Sequence, residues 1–458
     1  MSLDALFLSR LQFAFTVAYH IVFPAMTIGL AAFCVVLEWR WIRTGNAIYL
    51  ALYRFWSKLF ALAFGVGVVT GLVMAYEFGT NWSRFSAAAG NVIGPLMGYE
   101  VLSAFFLEAG FLGIMLFGLE RVGQRLHFFA TCMVSLGTLI SMSWILAVNS
   151  WMQTPAGHEI IAGVFYVTSW WEAIFNPSFP YRFLHMGIAA FLASAMVVAG
   201  VSAWYLLHAR HLEFASRSFS LAMGMVAVTA PLQVLVGDFH GLNTLEHQPM
   251  KVAAMEGLWE TTEGMHLVLF AIPDQAAQTN HFQISIPKLG SMILTHHWDG
   301  EVKGLNEVSV ADQPPVALVF YSFRVMVGIG FLLLAIGVIS LWLRYKGRLY
   351  DTRWFHQLVL VSSPLGLVAI LAGWIVTECG RQPWTVYGLM RTADSVSPVA
   401  AGAVATSLTL FVVVYGVLLF AFLLYFRRAI ALGPALEAEP VPVHDERQRA
   451  AADAVAGH

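Results

Sequence analysis

Residues 11–37 read LQFAFTVAYHIVFPAMTIGLAAFCVVL, an apolar run without a single Asp, Glu, Lys or Arg. A helix needs about 20 apolar residues to cross the hydrocarbon core of a bilayer, so this run is long enough to do so. It is longer than the apolar region of a secretory signal, no basic segment precedes it, and no small-residue cleavage site follows it. We therefore predict that it is retained as a first transmembrane helix.

The composition extends this prediction to the whole chain. Of 458 residues, 59% are hydrophobic and only 11% are charged, which is more apolar surface than a water-soluble core can bury. We predict an all-α polytopic membrane protein with about nine transmembrane helices packed in bundles. The predicted spans lie near residues 12–39, 56–77, 95–119, 127–148, 184–207, 218–236, 318–343, 357–377 and 399–426.

These spans divide the chain into four parts. Helices one to six fall in 1–236, a hydrophilic loop in 237–316, helices seven to nine in 317–428, and a disordered tail in 429–458. Basic residues concentrate in the odd-numbered connections, so the positive-inside rule predicts an outward N-terminus and loop and a cytoplasmic C-terminus. The basic residues are Arg40, Arg43, Arg54, Lys58, Arg121, Arg125, Arg210, Arg217, Arg344, Lys346, Arg348 and Arg353.

Several classes of function are disfavoured. Cys34, Cys132 and Cys379 lie far apart, which indicates neither a disulfide framework nor a cysteine-ligated cluster. A net charge of -2 without a basic patch gives no indication of nucleic-acid binding. The sequence also lacks a P-loop, a GxSxG elbow and an HExxH helix.

Polar side chains within the predicted spans are functional candidates, because burying them in a bilayer is costly. On the predicted topology they share the outer half of the membrane. His20 lies about two turns into the first helix, Glu100 and Glu108 lie in the first half of the third, and His185 opens the fifth. Arg324 and Met326 open the seventh helix and Glu378 closes the eighth.

The spacing of these residues allows more than one interpretation. On a straight helix, Glu100 and Glu108 would be about 12 Å and 80° apart, able to serve a redox centre and a proton relay behind it. Trp374 and Glu378 share a face beside Arg381. A histidine in a membrane helix often only bonds a neighbouring helix. The carboxylates would equally suit a proton-coupled transporter.

The outer loop contains a second candidate site. Lys251 and Glu256 lie near Trp259 in a mixed polar and apolar run. The carboxylate could accept a proton from a quinol hydroxyl while the ammonium stabilises the resulting anion. The alternative is an interfacial helix with a solvated charged face.

Six motifs, in this order along the chain, resemble subunit I of the cytochrome bd quinol oxidases. The resemblance extends to about Phe426, which is nearly the whole chain. The motifs are LSRLQFAFTVAYHIVFP (8–24), GYEVLSAFFLEAGFLG (98–113), NSWMQTPAG (149–157), QPMKVAAMEG (248–257), FRVMVG (323–328) and GWIVTECGRQPW (373–384).

The resemblance implies three hemes. It implies that His185 and Met326 bind a low-spin heme b, with Arg324 supporting it electrostatically. It implies that His20 is an axial ligand at an oxygen-reducing pair, which holds a high-spin heme b and either heme d or a further heme b. Which heme of the pair takes His20 and which takes a carboxylate stays open.

The resemblance also implies roles for the remaining candidates. Glu100 and Glu378 would serve the oxygen-reducing pair as ligand or close partner, with Trp374 and Arg381 in contact with a cofactor. The proton path would include Lys58, Glu108 and Ser141, and the quinol-oxidising residues of the loop, called the Q-loop, would be Lys251 and Glu256.

The implied enzyme is a quinol:oxygen oxidoreductase of the bacterial cytoplasmic membrane. Ubiquinol or menaquinol would be oxidised on the outer side, and O2 would be reduced to water with cytoplasmic protons, generating a proton-motive force without pumping. The short Q-loop resembles that of the cyanide-insensitive subgroup. Implied partners are a second membrane subunit and a single-helix small subunit. The rival interpretations are the transporter, which would be colourless, and a di-heme electron-transfer subunit that never binds oxygen.

Overall fold

The computed structural model describes residues 4–434 and confirms the nine predicted transmembrane helices within that range. Each is long and apolar enough to cross a bilayer. The spans are Ala5–Thr44, Ala47–Thr80, Ser83–Phe117, Gln124–Gln153, Phe179–Leu207, Leu212–His247, Val316–Tyr345, Arg353–Cys379 and Ala401–Leu432.

The helices extend beyond the predicted apolar runs, and this corrects the predicted depth of several residues. His20 lies about four turns into the first helix rather than two, because that helix begins at Ala5. Glu100 lies at the middle of the third span and Glu108 in its second half, because that span begins at Ser83. Hydropathy marks only the hydrocarbon layer, whereas a helix can continue through polar residues at the membrane surface.

Two spans are not regular α-helices. The third consists of helices Ser83–Glu100 and Phe106–Phe117, joined by a π-helical turn at Val101–Phe105. This turn lies between Glu100 and Glu108, so the 80° offset expected for a straight helix does not apply. The eighth span consists of helices Arg353–Ser362 and Leu365–Cys379.

The Q-loop is shorter than predicted and largely folded. The sixth span continues to His247, beyond its predicted end at residue 236. A short helix follows at Pro249–Glu256, here called the loop helix, and strands Leu267–Asp274 and Thr279–Ile286 then form an antiparallel hairpin. The loop also holds paired strands Thr262–Glu263 and Glu301–Val302, helix Leu289–Thr295, and 3₁₀ turns Leu305–Glu307 and Val310–Asp312.

The other connections add little structure. Strands His158–Ile161 and Val164–Val167 pair, as do Trp384–Val386 and Met390–Arg391, and short helices lie at Trp170–Ile174 and Thr392–Ser395. The ninth span continues to Leu432, into the stretch predicted as a disordered tail. The rest of that predicted tail, from residue 435, lies outside the described residues.

The largest apolar core joins the first, second, fifth, sixth and seventh spans. Large fully buried side chains such as Trp56, Tyr205 and Phe219 pack there. The fourth span contacts the first, third and fifth. It carries a series of buried polar side chains, so it borders most of the candidate residues described next.

Candidate functional site

His20 is held in one tautomer by the second span. Its Nδ1 lies 2.9 Å from the Thr70 hydroxyl, whose own hydrogen is directed to the carbonyls of Val66 and Gly67. Thr70 therefore accepts at this contact, so Nδ1 of His20 carries the hydrogen. The lone pair of Nε2 is then free, which is the arrangement of a histidine that binds iron through Nε2.

His185 and Met326 lie on different helices and both are half-buried. The Nδ1 atom of His185 is buried and has no hydrogen-bond partner among the described residues. The ring of His185 packs edge-on against that of His240, with 5.2 Å between the ring centroids. An unpartnered buried nitrogen is costly unless a ligand uses it. The unpartnered nitrogen makes His185 a candidate for binding a group from outside the chain.

Each of the three predicted axial ligands lies against a glycine of a neighbouring span. A β-carbon at Gly71 would lie 3.1 Å from Cε1 of His20, and one at Gly237 would lie 3.2 Å from Cε1 of His185. At Gly373 it would lie 2.8 Å from the sulfur of Met326. Larger residues at these three positions would collide with the predicted ligand side chains, so the glycines allow those side chains to occupy their places. The buried nitrogens of His185 and Arg381 have no partner among the described residues, and a heme with its iron and propionates would provide partners for both.

The carboxylates of the third span face the fourth. Ser141 donates a hydrogen bond of 2.8 Å to Glu100. Glu108 is buried and packs on Gly137, where a β-carbon would lie 2.5 Å from its Cγ. Lys58 is exposed on the second span and makes no hydrogen bond or ion pair with a described residue. Of the predicted proton-path residues, Glu108 and Ser141 thus lie between the third and fourth spans, whereas Lys58 does not.

Glu378 is the centre of a polar cluster at the end of the eighth span. It accepts hydrogen bonds from Asn149 at 2.8 Å and from Gln153 at 3.3 Å, and it pairs with the buried Arg381. Two nitrogens of Arg381 remain without a partner among the described residues. Trp374, one turn before Glu378, is half-buried.

Lys251 extends from the loop helix into this cluster. Its ammonium donates bonds of 2.6 Å to Gln153 and to Gln248, and the side chain is only 2% exposed. Burial holds the pKa of Lys251 well below its ordinary value, and the nearby Arg182 guanidinium lowers that pKa further. Gln153 joins the loop lysine to Glu378 because it contacts both.

Glu256 lies on the other side of the loop helix. Its carboxylate is 3.6 Å from the guanidinium of Arg324, and one of its oxygens has no hydrogen-bond partner among the described residues. Burial raises the pKa of Glu256, while Arg324 acts in the opposite direction. The structure thus does not bring Lys251 and Glu256 together around one head group. Their burial also excludes the alternative of a solvated interfacial face.

Comparison with known proteins decides the family. The family described as cytochrome bd terminal oxidase subunit I matches residues 8–434. This chain belongs to that family. The match confirms the resemblance that the six motifs indicated, and it identifies the chain as a subunit of a terminal respiratory oxidase and a multi-pass protein of the bacterial cytoplasmic membrane.

Relatives of this cytochrome bd subunit I cover almost the whole chain. The cytochrome bd ubiquinol oxidase subunit 1 of Bacillus subtilis strain 168 is 37% identical over 91% of both chains. The cytochrome bd-II ubiquinol oxidase subunit 1 of Escherichia coli K12 is 34% identical over 97% of this chain and 99% of its own length. The bd oxidase structure from Geobacillus thermodenitrificans superposes with a TM-score of 0.88 at 32% identity, covering 94% and 99% of the two chains.

Several buried polar residues of this cytochrome bd subunit have roles that its sequence does not reveal. Gln153 lies within the motif NSWMQTPAG (149–157), but only the packing shows that it links Lys251 to Glu378. Arg182 is 6% exposed and lies in electrostatic range of Glu378 and Arg381. The position of Arg182, three residues before the candidate ligand His185, was the available sequence signal for it. No comparable sequence signal marked His240, because it falls in the part of the sixth helix that was predicted as loop.

Proposed function

We propose that this chain carries the hemes of a quinol oxidase, oxidises quinol beside the loop helix and reduces O2 to water inside the bundle. The observation that carries the proposal is the set of three predicted ligands, His20, His185 and Met326, each lying against a glycine of the adjacent span. Bound heme would supply reversible one-electron chemistry and a position for oxygen.

His185 and Met326 would hold the low-spin heme b, and His20 would hold one heme of the oxygen-reducing pair. A hydrogen bond from His20 Nδ1 to Thr70 would leave the Nε2 lone pair of His20 available to bind heme iron. Glu378 and Glu100 are the carboxylates available to the other heme of the pair. Either heme d or a further heme b fits that position, and the absorbance of the reduced enzyme distinguishes them.

The excess of buried positive charge supports the same proposal. Arg182 and Arg381 are each at most 6% exposed beside the buried Lys251, and Glu378 is the carboxylate among them. Uncompensated buried charge is strongly unfavourable, and the free N–H groups of Arg381 require acceptors. Heme carries two propionate carboxylates, which would provide both the negative charge and the acceptors.

Glu256 is proposed as the group that accepts the quinol proton. It is buried, has an oxygen free of hydrogen bonds, and its raised pKa makes it a stronger base than an exposed glutamate. Arg324, at 3.6 Å, would stabilise the carboxylate between turnovers. Lys251 points away from Glu256, so we assign it to the Gln153 and Glu378 cluster rather than to the same quinol oxygen.

Protons for water formation are proposed to come from the opposite side. Ser141, hydrogen-bonded to Glu100, and the buried Glu108 would lead inward to the oxygen-reducing pair. Basic residues cluster at the helix ends beyond Glu108, which supports a cytoplasmic position for that side. Quinol protons released outside and consumed protons taken from inside would separate charge without a pump.

A second membrane subunit and a single-helix small subunit are proposed as partners. Much of the ninth span is exposed and apolar, with Val413, Val417 and Phe420 facing outward, and both lipid and another helix would suit such a face. Purification in mild detergent followed by mass spectrometry tests the partners. Recovery of this chain alone, with full oxidase activity, would contradict them.

One pair of spectra tests the heme assignment. The reduced-minus-oxidised spectrum should show low-spin heme b, and carbon monoxide should shift the bands of a second, high-spin population. A colourless protein would favour the transporter. Low-spin heme whose absorbance does not change with carbon monoxide would favour the di-heme electron-transfer subunit.

A substitution tests the quinol assignment. Glu256→Ala should abolish oxidation of quinol yet leave the heme spectrum intact, because the residue lies in the loop. Glu260→Ala is the matched control, since Glu260 is an exposed glutamate of the same loop. Quinol turnover retained by Glu256→Ala would refute the role of Glu256.

A further inference from the structure

A buried acid and histidine form a pair that the mechanism above does not use. Glu38 of the first span and His127 of the fourth are both completely buried, with Oε1 and Nδ1 2.5 Å apart. The second carboxylate oxygen accepts a 2.5 Å bond from Thr131. The pair lies at the basic end of the bundle, near the ends of the two helices that carry it.

The surrounding contacts define what the pair can hold. His127 Nε2 lies 3.2 Å from the carbonyl of Met115, which only accepts, so Nε2 carries a hydrogen. In the neutral ring Nδ1 then has only its lone pair, and Glu38 must be protonated to make the short contact. Otherwise the ring is an imidazolium and Glu38 is ionised. Either way, the Glu38–His127 pair holds one proton that can move between the two residues.

Hydroxyl side chains continue from the pair along one face of the fourth span. Thr131, Ser135, Thr138 and Ser141 follow His127 by 4, 8, 11 and 14 residues. At 100° per residue these positions fall within an arc of about 120°, and they cover roughly 21 Å. Ser141 then donates to Glu100. Hydroxyls both donate and accept, so such a series can conduct protons when water bridges its members.

We propose that the Glu38–His127 pair is the proton-loading site that supplies Glu100 along the fourth span. This rests on the proposed function, which requires protons from this end. The Thr131 hydroxyl, which donates to Glu38, first turns its hydrogen toward a bridging water on the Ser135 side. The shared proton then moves from Glu38 to the Thr131 oxygen while the Thr131 hydrogen passes to that water. Water at the basic end returns one proton to the pair, and no electron moves.

The alternative is a clamp, meaning a purely structural contact that holds the first and fourth spans together. Cys34, Tyr53 and Cys132 are the other titratable groups near Glu38. A clamp would depend on shape and hydrogen bonds, whereas a proton-loading site depends on an exchangeable proton. Glu38→Gln separates the two because the amide keeps the volume and can still bond both His127 and Thr131.

The experiment mixes the fully reduced enzyme complex with O2 and follows proton uptake by the absorbance of a pH dye in solution. Glu38→Gln should slow uptake at least about tenfold, while anaerobic heme reduction by quinol and the heme spectrum stay as in the wild type. Glu38→Asp should recover part of the rate. Glu77→Gln is the matched control, because Glu77 is a buried carboxylate at the far end of the second span.

Wild-type uptake in Glu38→Gln overturns the proposal and leaves the heme and quinol assignments untouched. If Glu38→Gln loses its hemes, Thr131→Val and Ser135→Ala decide, and wild-type uptake in both overturns the proposal. Absence of heme from the wild-type complex would instead reject the proposed function.

Discussion

Replacing Gln153 with methionine is the sharpest test of the connection between the Q-loop and the oxygen-reducing pair. Methionine keeps the length and approximate volume but removes the acceptor for Lys251 at 2.6 Å and for Gln248 at 3.1 Å. Lys251 is 2% exposed and Gln153 fully buried, so solvent does not replace the lost bonds.

Gln153→Met also removes the 3.3 Å bond from Gln153 to Glu378. A lower limit for the size of the effect follows from the two shorter bonds, to Lys251 and Gln248. A buried hydrogen bond to a charged group contributes about 1.5–3 kcal/mol and a neutral one about 0.5–1.5 kcal/mol, so the loss is about 2–4.5 kcal/mol. If all of this loss fell on the transition state for quinol oxidation, kcat/KM would decrease by roughly 30- to 2000-fold. Part of the loss will appear as lower stability, so we expect at least about tenfold.

The assay is stopped-flow reduction of the low-spin heme by quinol under anaerobic conditions, alongside a thermal melt. Gln313→Met is the control, since Gln313 is another buried glutamine, bonded within the loop to Gln278 and Leu305. Both variants should melt earlier, but only Gln153→Met should slow heme reduction. Wild-type heme reduction in Gln153→Met would refute the role given to Gln153.

Two further predictions concern Glu256 and His185. Arg324→Gln removes the positive charge that lowers the pKa of Glu256, so the acidic limb of the pH profile of kcat/KM for quinol should move to higher pH. Arg324→Lys keeps the charge and should leave that limb in place. An unmoved limb in Arg324→Gln would contradict the role of Glu256 as the base. Gly237→Val places carbon where His185 lies and should remove the low-spin heme absorbance, whereas Gly241→Val, one turn along the same helix with open space around it, should retain it.

The fold could be predicted from the sequence because the bilayer imposes one rule on every span. Within residues 4–434, the nine predicted apolar runs correspond to nine long helices, and most errors lie at the helix ends. The sixth helix continues through the polar segment to His247, since a helix satisfies its own backbone hydrogen bonds outside the bilayer as well as inside. The π-helical turn after Glu100 left no signal in the apolar pattern.

The site was predictable only one residue at a time. His20, Glu100 and Glu378 were recognisable because charged or ligating groups are rare at membrane depth. The partners of these residues were not, because Thr70, Ser141 and Gln153 are ordinary polar residues until the packing of helices brings them into contact. The separation of Lys251 from Glu256 likewise depends on the direction of the loop helix, which sequence spacing leaves undetermined.

The fourth span connects the separate parts of the proposed reaction. At one end His127 meets Glu38, in the middle Ser141 meets Glu100, and at the other end Gln153 meets Glu378. Quinol oxidation and proton supply would therefore share one rigid helix rather than a flexible loop. A substitution on its polar face should affect proton uptake near His127 but electron delivery from quinol near Gln153, so the position along this helix predicts which half of the reaction is slowed.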